Sequence, residues 1–235
     1  MHATPPSTLA SQPGKPPAAR RSRNCRNGMR RALIGAALFA AVSGVAVAYT
    51  ATLTPASPTT VYLQVGVGSF TNNYTNGGQP GNNTTVNKVS VTVPAAVVGN
   101  GTAQAMTTNS TATQSYLDGY TYCSVPGQIY VGGFYRTTGG TTTAALVTAT
   151  VPAALTDATG DTIPFSKIRW TSSGNGDTGA EPFPAGTFVS GGVQNVGSMA
   201  SNTWNESCWT FSYLNNTVPP AGTFTGVVRY TLSAP

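Results

Sequence analysis

"PPAGTFTGVVRYTLSAP" (residues 219–235) is the stretch that decides the fold. Pro220 presets φ, and Ala221-Gly222 lets the chain reverse before Thr223-Phe224 enters an extended segment. Beyond that point Phe224, Val228, Tyr230 and Leu232 fall on one face, while Thr225, Val227, Arg229 and Thr231 take the other. The same Pro-Ala-Gly-Thr-Phe opens "FPAGTFVSGGVQ" (residues 183–194), 36 residues earlier. Standing at the head of two strand-like segments, the motif reads as punctuation rather than as a ligand site. It places the C-terminus inside a sheet.

Alternation of the same kind runs back along the chain. Val61, Leu63, Val65 and Val67 share a face in "TVYLQVGVGSF", as do Val89, Val91 and Val93 in "NKVSVTVP". "GYTYCSV", "GQIYVGGFY", "TAALVTATV", "IPFSKIRWT", "GTFVSGGVQNV" and "CWTFSYL" complete the strand-like set, separated by loops rich in Gly, Asn and Pro. β-Branched and aromatic residues suit strands, and these turn residues suit reversals. No segment beyond the leader has a helical period. The expected fold is therefore all-β, an antiparallel sandwich over residues 59–235, with residues 49–58 as a mobile mature N-terminus.

The leader is residues 1–48. Seven of the chain's twelve basic residues lie within its first 31 positions, without an acid, followed by the apolar run "ALIGAALFAAVSGVAVA" (residues 32–48). A cationic stretch, a short apolar run and the small-x-small ending Ala46-Val47-Ala48 form a secretory signal. Its core spans residues 29–48, with cleavage expected before Tyr49. Met29 is an alternative start, and an uncleaved anchor is the alternative to cleavage. The formal charge of +6 belongs mostly to this leader. Lys88, Arg136, Lys167, Arg169 and Arg229 stand against Asp118, Asp157, Asp161, Asp177, Glu181 and Glu206 in residues 49–235, a net of −1. No basic patch is left for nucleic acid, and the membrane is a partner only through an uncleaved signal. The sequence thus predicts a bacterial secreted or cell-surface protein, exported through the periplasm in a Gram-negative cell.

Cys123 and Cys208 remain after cleavage, in an oxidising compartment, and a disulfide is expected between them. It would cross any boundary between residues 49–151 and 152–235, which favours one domain over two small sandwiches. The sole histidine, His2, precedes the signal, so His-dependent triads and His-metal sites are excluded from the mature chain. The remaining acids sit in polar turns, "LTDATGDTIP" and "GNGDTGAEP", where Asp bends the chain. Asp177 and Glu181 are the candidate metal ligands, although "NGDTGAE" lacks the ordered calcium-loop spacing. No cofactor is expected and no catalytic residue is assigned. Of the aromatics, Trp204 in "ASNTWNES" is expected to be exposed and is the candidate ligand-binding residue; Trp170, Trp209 and Tyr116, Tyr120, Tyr122, Tyr130 and Tyr135 are the remaining members of a sugar-stacking set.

The closing residues "PAGTFTGVVRYTLSAP", with Tyr230 near the end, resemble the final strand of bacterial fimbrial subunits and related pilin-like secreted sandwiches. The resemblance covers about the last 30 residues and the general composition. It implies an immunoglobulin-like fold, a non-catalytic structural or adhesive role at the cell surface, and partners that are other subunits joined by strand addition. Pro55 and Pro58 interrupt the segment that would donate such a strand, and the cysteines stand later than in many pilins. A carbohydrate-binding module recognising a surface glycan through Trp204, and a carboxylate-dependent glycoside hydrolase using Asp177, are the rival readings.

Overall fold

The computed structural model describes residues 50–55, 59–71, 79–139, 142–175 and 180–235; the leader, Tyr49 and Asp177 lie outside them. In chain order the strands are β1 (Thr50–Thr52), β2 (Thr60–Val65), β3 (Phe70–Thr71), β4 (Gln79–Pro80), β5 (Val89–Ser90), β6 (Gln104–Ala105), β7 (Thr107–Thr108) and β8 (Ile129–Arg136). They continue as β9 (Ala145–Val151), β10 (Ala154–Thr156), β11 (Thr162–Pro164), β12 (Ile168–Ser173), β13 (Gly186–Thr187), β14 (Gly192–Met199), β15 (Thr203–Tyr213) and β16 (Arg229–Ser233). The ladders between these strands are antiparallel. The expected all-β antiparallel sandwich is present.

The larger sheet runs β13-β12-β15-β8-β2, with β1 and β6 also paired to β15. The smaller sheet is β14-β9-β16. The strand β9 is central there, and its BeBiBeB burial follows the period of two that a half-solvated strand demands. Val147, Ala149 and Val151 from β9 meet Val131, Trp170, Trp209 and Phe211 from the larger sheet in one core. Phe224, Val228, Tyr230 and Leu232 pack on that core, the same face that their alternation assigns them. The C-terminus is indeed a strand of the sandwich.

Several segments depart from their expected form. Residues 50–55 are built into the sheet rather than forming a mobile terminus: β1 pairs with residues 203–205, and the Leu53 amide donates to the Asn202 carbonyl at 2.7 Å. Leu53 is 2% exposed, because burying it beside Trp204 and Phe134 outweighs the cost of ordering the segment. "GYTYCSV" is not a strand. The Tyr122 and Cys123 amides both donate to the Thr113 carbonyl, folding the segment back on itself. "IPFSKIRWT" divides at a 3-10 turn, Phe165–Lys167, into β11 and β12. In "NKVSVTVP" only Val89–Ser90 joins a ladder, although Val89, Val91 and Val93 all reach the core.

The glycines of the two Pro-Ala-Gly-Thr-Phe copies serve a different purpose from the one expected. Neither Gly186 nor Gly222 has a positive φ. A Cβ on Gly186 would sit 2.6 Å from Trp170 Cζ2, inside a buried ring, whereas one on Gly222 would meet Asp157 Oδ2, the movable end of a side chain, at 2.6 Å. The first copy wraps Trp170, whose indole N–H donates to the Pro184 carbonyl at 2.9 Å. Close approach, not chain reversal, fixes glycine here. Gly186→Ala is expected to cost about 1–3 kcal/mol by overpacking against Trp170, read from the urea midpoint. Deletion of residues 222–235 strips β9 of its β16 partner and removes Phe224, Tyr230 and Leu232 from the core; no folded protein is expected. A soluble, protease-resistant truncation would contradict that placement of the C-terminus.

Candidate functional site

Strand β15 is buried almost throughout, in the pattern iBBBBBBiBiB. Its odd positions Trp209, Phe211 and Tyr213 enter the sandwich core. Its even positions Trp204, Glu206 and Cys208 therefore face the other way. That outer face is covered by a flap, residues 113–122, in which Ser115, Leu117 and Tyr122 are buried. The flap ends at Cys123, bonded to Cys208 with 5.6 Å between the Cα atoms, so the expected disulfide is present. Its 85-residue separation makes it a long-range tie between the flap and the central strand.

Beneath the flap lies a carboxyl group. Glu206 is 0% exposed. In the ladder it stands opposite Gly132, and a Cβ on Gly132 would overlap the Tyr130 ring, 2.6 Å from Cε1 and 2.7 Å from Cζ. Glycine at 132 thus lets the Tyr130 ring lie back along β8. The Tyr130 hydroxyl donates to Glu206 Oε2 at 2.5 Å, and the Trp204 indole N–H donates to the same oxygen at 3.0 Å. Tyr122 completes the cover by donating its hydroxyl to the Glu206 carbonyl at 3.0 Å. The Tyr130 and Trp204 donors both fall on Oε2, and Ser115 sets a third polar group from the flap against the carboxyl. Burial raises the Glu206 pKa above the ordinary glutamate value; donors from Tyr130, Trp204 and Ser115 oppose the rise, and the Asp118 charge adds to it. Burial also holds the Tyr130 hydroxyl well above its usual range, and the neighbouring Glu206 strengthens the effect. The carboxyl is thus enclosed between the central strand and the flap.

The structure sorts the sequence-derived candidates. Trp204, expected in an exposed loop, is 0% exposed in β15 and packs with Tyr62, Phe70 and Phe134; its ring offers no face to a ligand. The sugar-stacking set is dispersed: Trp170 and Trp209 are in the sandwich core, Tyr122 and Tyr130 beside the disulfide, and Tyr135 is buried. Tyr116 and Tyr120 are its exposed members. Asp177 lies outside the described residues. Glu181 borders a depression of about 360 Å³ lined also by Pro182, Pro184 and Asn195, and accepts the Ser207 hydroxyl at 3.1 Å. Among the described residues no three of His, Cys, Asp and Glu gather as a metal site.

Asp157 and Asp161 act as turn residues. Asp157 Oδ1 accepts the amides of Thr159 and Asp161 at 3.0 and 2.9 Å. Slight desolvation raises the Asp157 pKa, but hydrogen bonds from Thr159, Asp161 and Gly160 outweigh it and lower the net value. The residue missed by sequence reasoning is Glu206. Its signal was its spacing: it lies two residues from Cys208, so a buried disulfide puts it on the buried face. Comparison with protein-family models, curated proteins and solved structures finds no match to this chain.

Linkage fixes the sign of the pH dependence. A carboxyl whose folded pKa is raised contributes full stability below the unfolded value near 4.5 and loses it as pH rises through the folded pKa. Glu206→Gln keeps an acceptor for Tyr130 and Trp204 but cannot ionise. Relative to the unsubstituted protein, it is expected to gain stability at alkaline pH and little or none near pH 4, as measured by urea unfolding at both pH values. An equal effect at the two pH values would show that Glu206 does not retain its proton on folding.

Proposed function

We propose that this chain is an exported, non-catalytic β-sandwich that works at the bacterial cell surface as a fimbria-like structural or adhesive protein. The observation that carries the reading is the fully buried Cys123–Cys208 disulfide, which ties an otherwise irregular flap to the central strand. Such bonds form and persist in oxidising compartments. The leader pattern and the scarcity of charge, 8% of the chain, agree with export and with life on an exterior surface. The closing strand β16, which carries the resemblance to fimbrial subunits, takes its place in the smaller sheet.

In this reading the N-terminal segment closes its own subunit rather than a neighbour's, since β1 pairs with β15 of the same chain. The role is that of a robust surface module, whose contacts to other subunits or surface glycans use exposed faces. The Trp204-centred glycan module gains no support, because Trp204 is enclosed.

The test is expression of the full chain in a Gram-negative host with fractionation and non-reducing electrophoresis. Oxidised protein outside the cytoplasm, shortened at the leader, is expected, together with cell aggregation or surface adhesion absent from controls. Reduced protein retained in the cytoplasm would overturn the reading. Replacing both Cys123 and Cys208 with Ala is expected to remove up to about 4–5 kcal/mol of stability through the chain entropy of an 85-residue loop, with adhesion lost as the flap loosens.

A further inference from the structure

The flap over β15 is held mainly by bonds within itself. The Ser115 amide donates to the Tyr120 carbonyl, the Gly119 amide to the Ser115 carbonyl, and the Leu117 amide to Ser115 Oγ, all at 2.9–3.0 Å. Its attachments to the rest include Leu117 in the outer core, the Tyr116 hydroxyl on the Gly68 carbonyl, the Tyr122 hydroxyl on the Glu206 carbonyl, and Asn175 Nδ2 on the Thr121 carbonyl. By contrast β8 and β15 are locked in a continuous ladder from residue 203 to 207. Elements without ladder bonds open at the lowest free-energy cost.

We propose that this flap is a proton-gated cover: it stays shut while the Glu206 carboxyl carries its proton and swings open about the Cys123–Cys208 bond when that proton leaves. The groups facing the carboxyl compensate its ionisation only in part. From β15 come Trp204 and the bonded Cys208; from β8 comes Tyr130; from β2 come Tyr62 and Gln64, which are bonded to each other. From the flap come Ser115 and Asp118, whose own charge repels a second carboxylate, with the Tyr122 hydroxyl on the Glu206 main-chain carbonyl. Arg136, farther along β8, donates to the Thr54 carbonyl, and the charge that bears on Glu206 is that of Asp118, of like sign. With the Tyr130 and Trp204 donors both on Oε2, the carboxylate is stabilised chiefly on one oxygen. Opening the flap hydrates it and separates it from Asp118. The large sheet need not come apart, because the disulfide limits the excursion.

The chain has two glutamates, Glu181 and Glu206, so side-chain carboxyl labelling with carbon-13 gives two resolvable signals. The experiment follows those signals by NMR on the oxidised protein from about pH 4 to about pH 9, with hydrogen-exchange protection of the Leu117, Gly119 and Tyr122 amides. Flap protection is expected to fall by up to about tenfold per pH unit within the titration window, in step with one carboxyl signal. Glu206→Gln should keep the flap protected throughout. Tyr130→Phe removes a donor to the carboxylate and should move the midpoint to higher pH; Asp118→Asn removes a like charge and should move it lower. The proposal is overturned if flap protection is flat across the range or falls without a carboxyl titrating in step. It is also overturned if Glu206→Gln leaves the fall unchanged, or if neither Tyr130→Phe nor Asp118→Asn moves the midpoint.

Discussion

Everything in this molecule leans on a strand that is covered twice. The strand β15 contributes Trp209 and Phe211 to the sandwich core on one side and Trp204, Glu206 and Cys208 to the layer under the flap on the other. A strand with no solvent face must satisfy most of its polar groups internally, since an unpaired buried donor or acceptor costs about 1–3 kcal/mol. The indole of Trp209 donates to the Phe183 carbonyl, that of Trp204 to Glu206, and the Ser207 hydroxyl to Glu181. The segments that supply those acceptors are thereby fixed in place. The disulfide adds a covalent tie for the flap, which ladder bonding alone does not hold.

The same double cover explains why a carboxyl is tolerated at position 206. Burying an ionised carboxylate costs several kcal/mol, whereas a neutral acid bonded to two donors costs far less. Burial and the like charge of Asp118 favour the neutral form, while the Tyr130 and Trp204 donors temper that preference and hold the carboxyl in place. In return the group specifies register. A slip of β15 by one residue would turn Glu206 toward Val131 and Val147 and drive Trp209 under the flap, and neither side accepts that exchange. Gly132 belongs to the same specification, because any larger residue opposite Glu206 would displace the Tyr130 ring.

Legibility in the sequence follows from how many faces of a strand meet water. β9 and the closing segment from Phe224 to Leu232 show plain alternation because one face is solvated, and their core faces were readable residue by residue. In β2 the alternation is half of the picture: Leu63 and Val65 pack against the core as it assigns them, but Val61 is 42% exposed, and Tyr62 and Gln64 on the opposite face are 5% and 2% exposed. The outer layer buries what a simple sandwich would leave wet. Trp204 was misplaced for the same reason. Asn202, Asn205, Glu206 and Ser207 make its neighbourhood look like a loop, yet all are buried and Asn202 supplies the turn before β15 with φ of 55°. Polar residues near a disulfide carry little information on exposure when a second layer is present. The turn acids Asp157 and Asp161 were legible because their hydrogen bonds are local.

The N-terminal strand shows how far the fimbrial resemblance extends into architecture. Donating residues 50–54 to a neighbour would withdraw Leu53 from a core it shares with Tyr62, Phe134 and Trp204, and would strip Arg136 of the Thr54 carbonyl. Emptying a buried leucine site costs about 2–5 kcal/mol, before the lost ladder with residues 203–205 is counted. A neighbour offering the same segment restores that loss without adding to it, so exchange gains nothing over the closed subunit at ordinary concentration. The N-terminal strand is better matched to completing its own outer layer than to chain-linking. Its Ala51 pairs with Trp204 on β15, and Leu53 shares the outer core with Leu117 of the flap, so the segment and the flap cover the same face of the sheet.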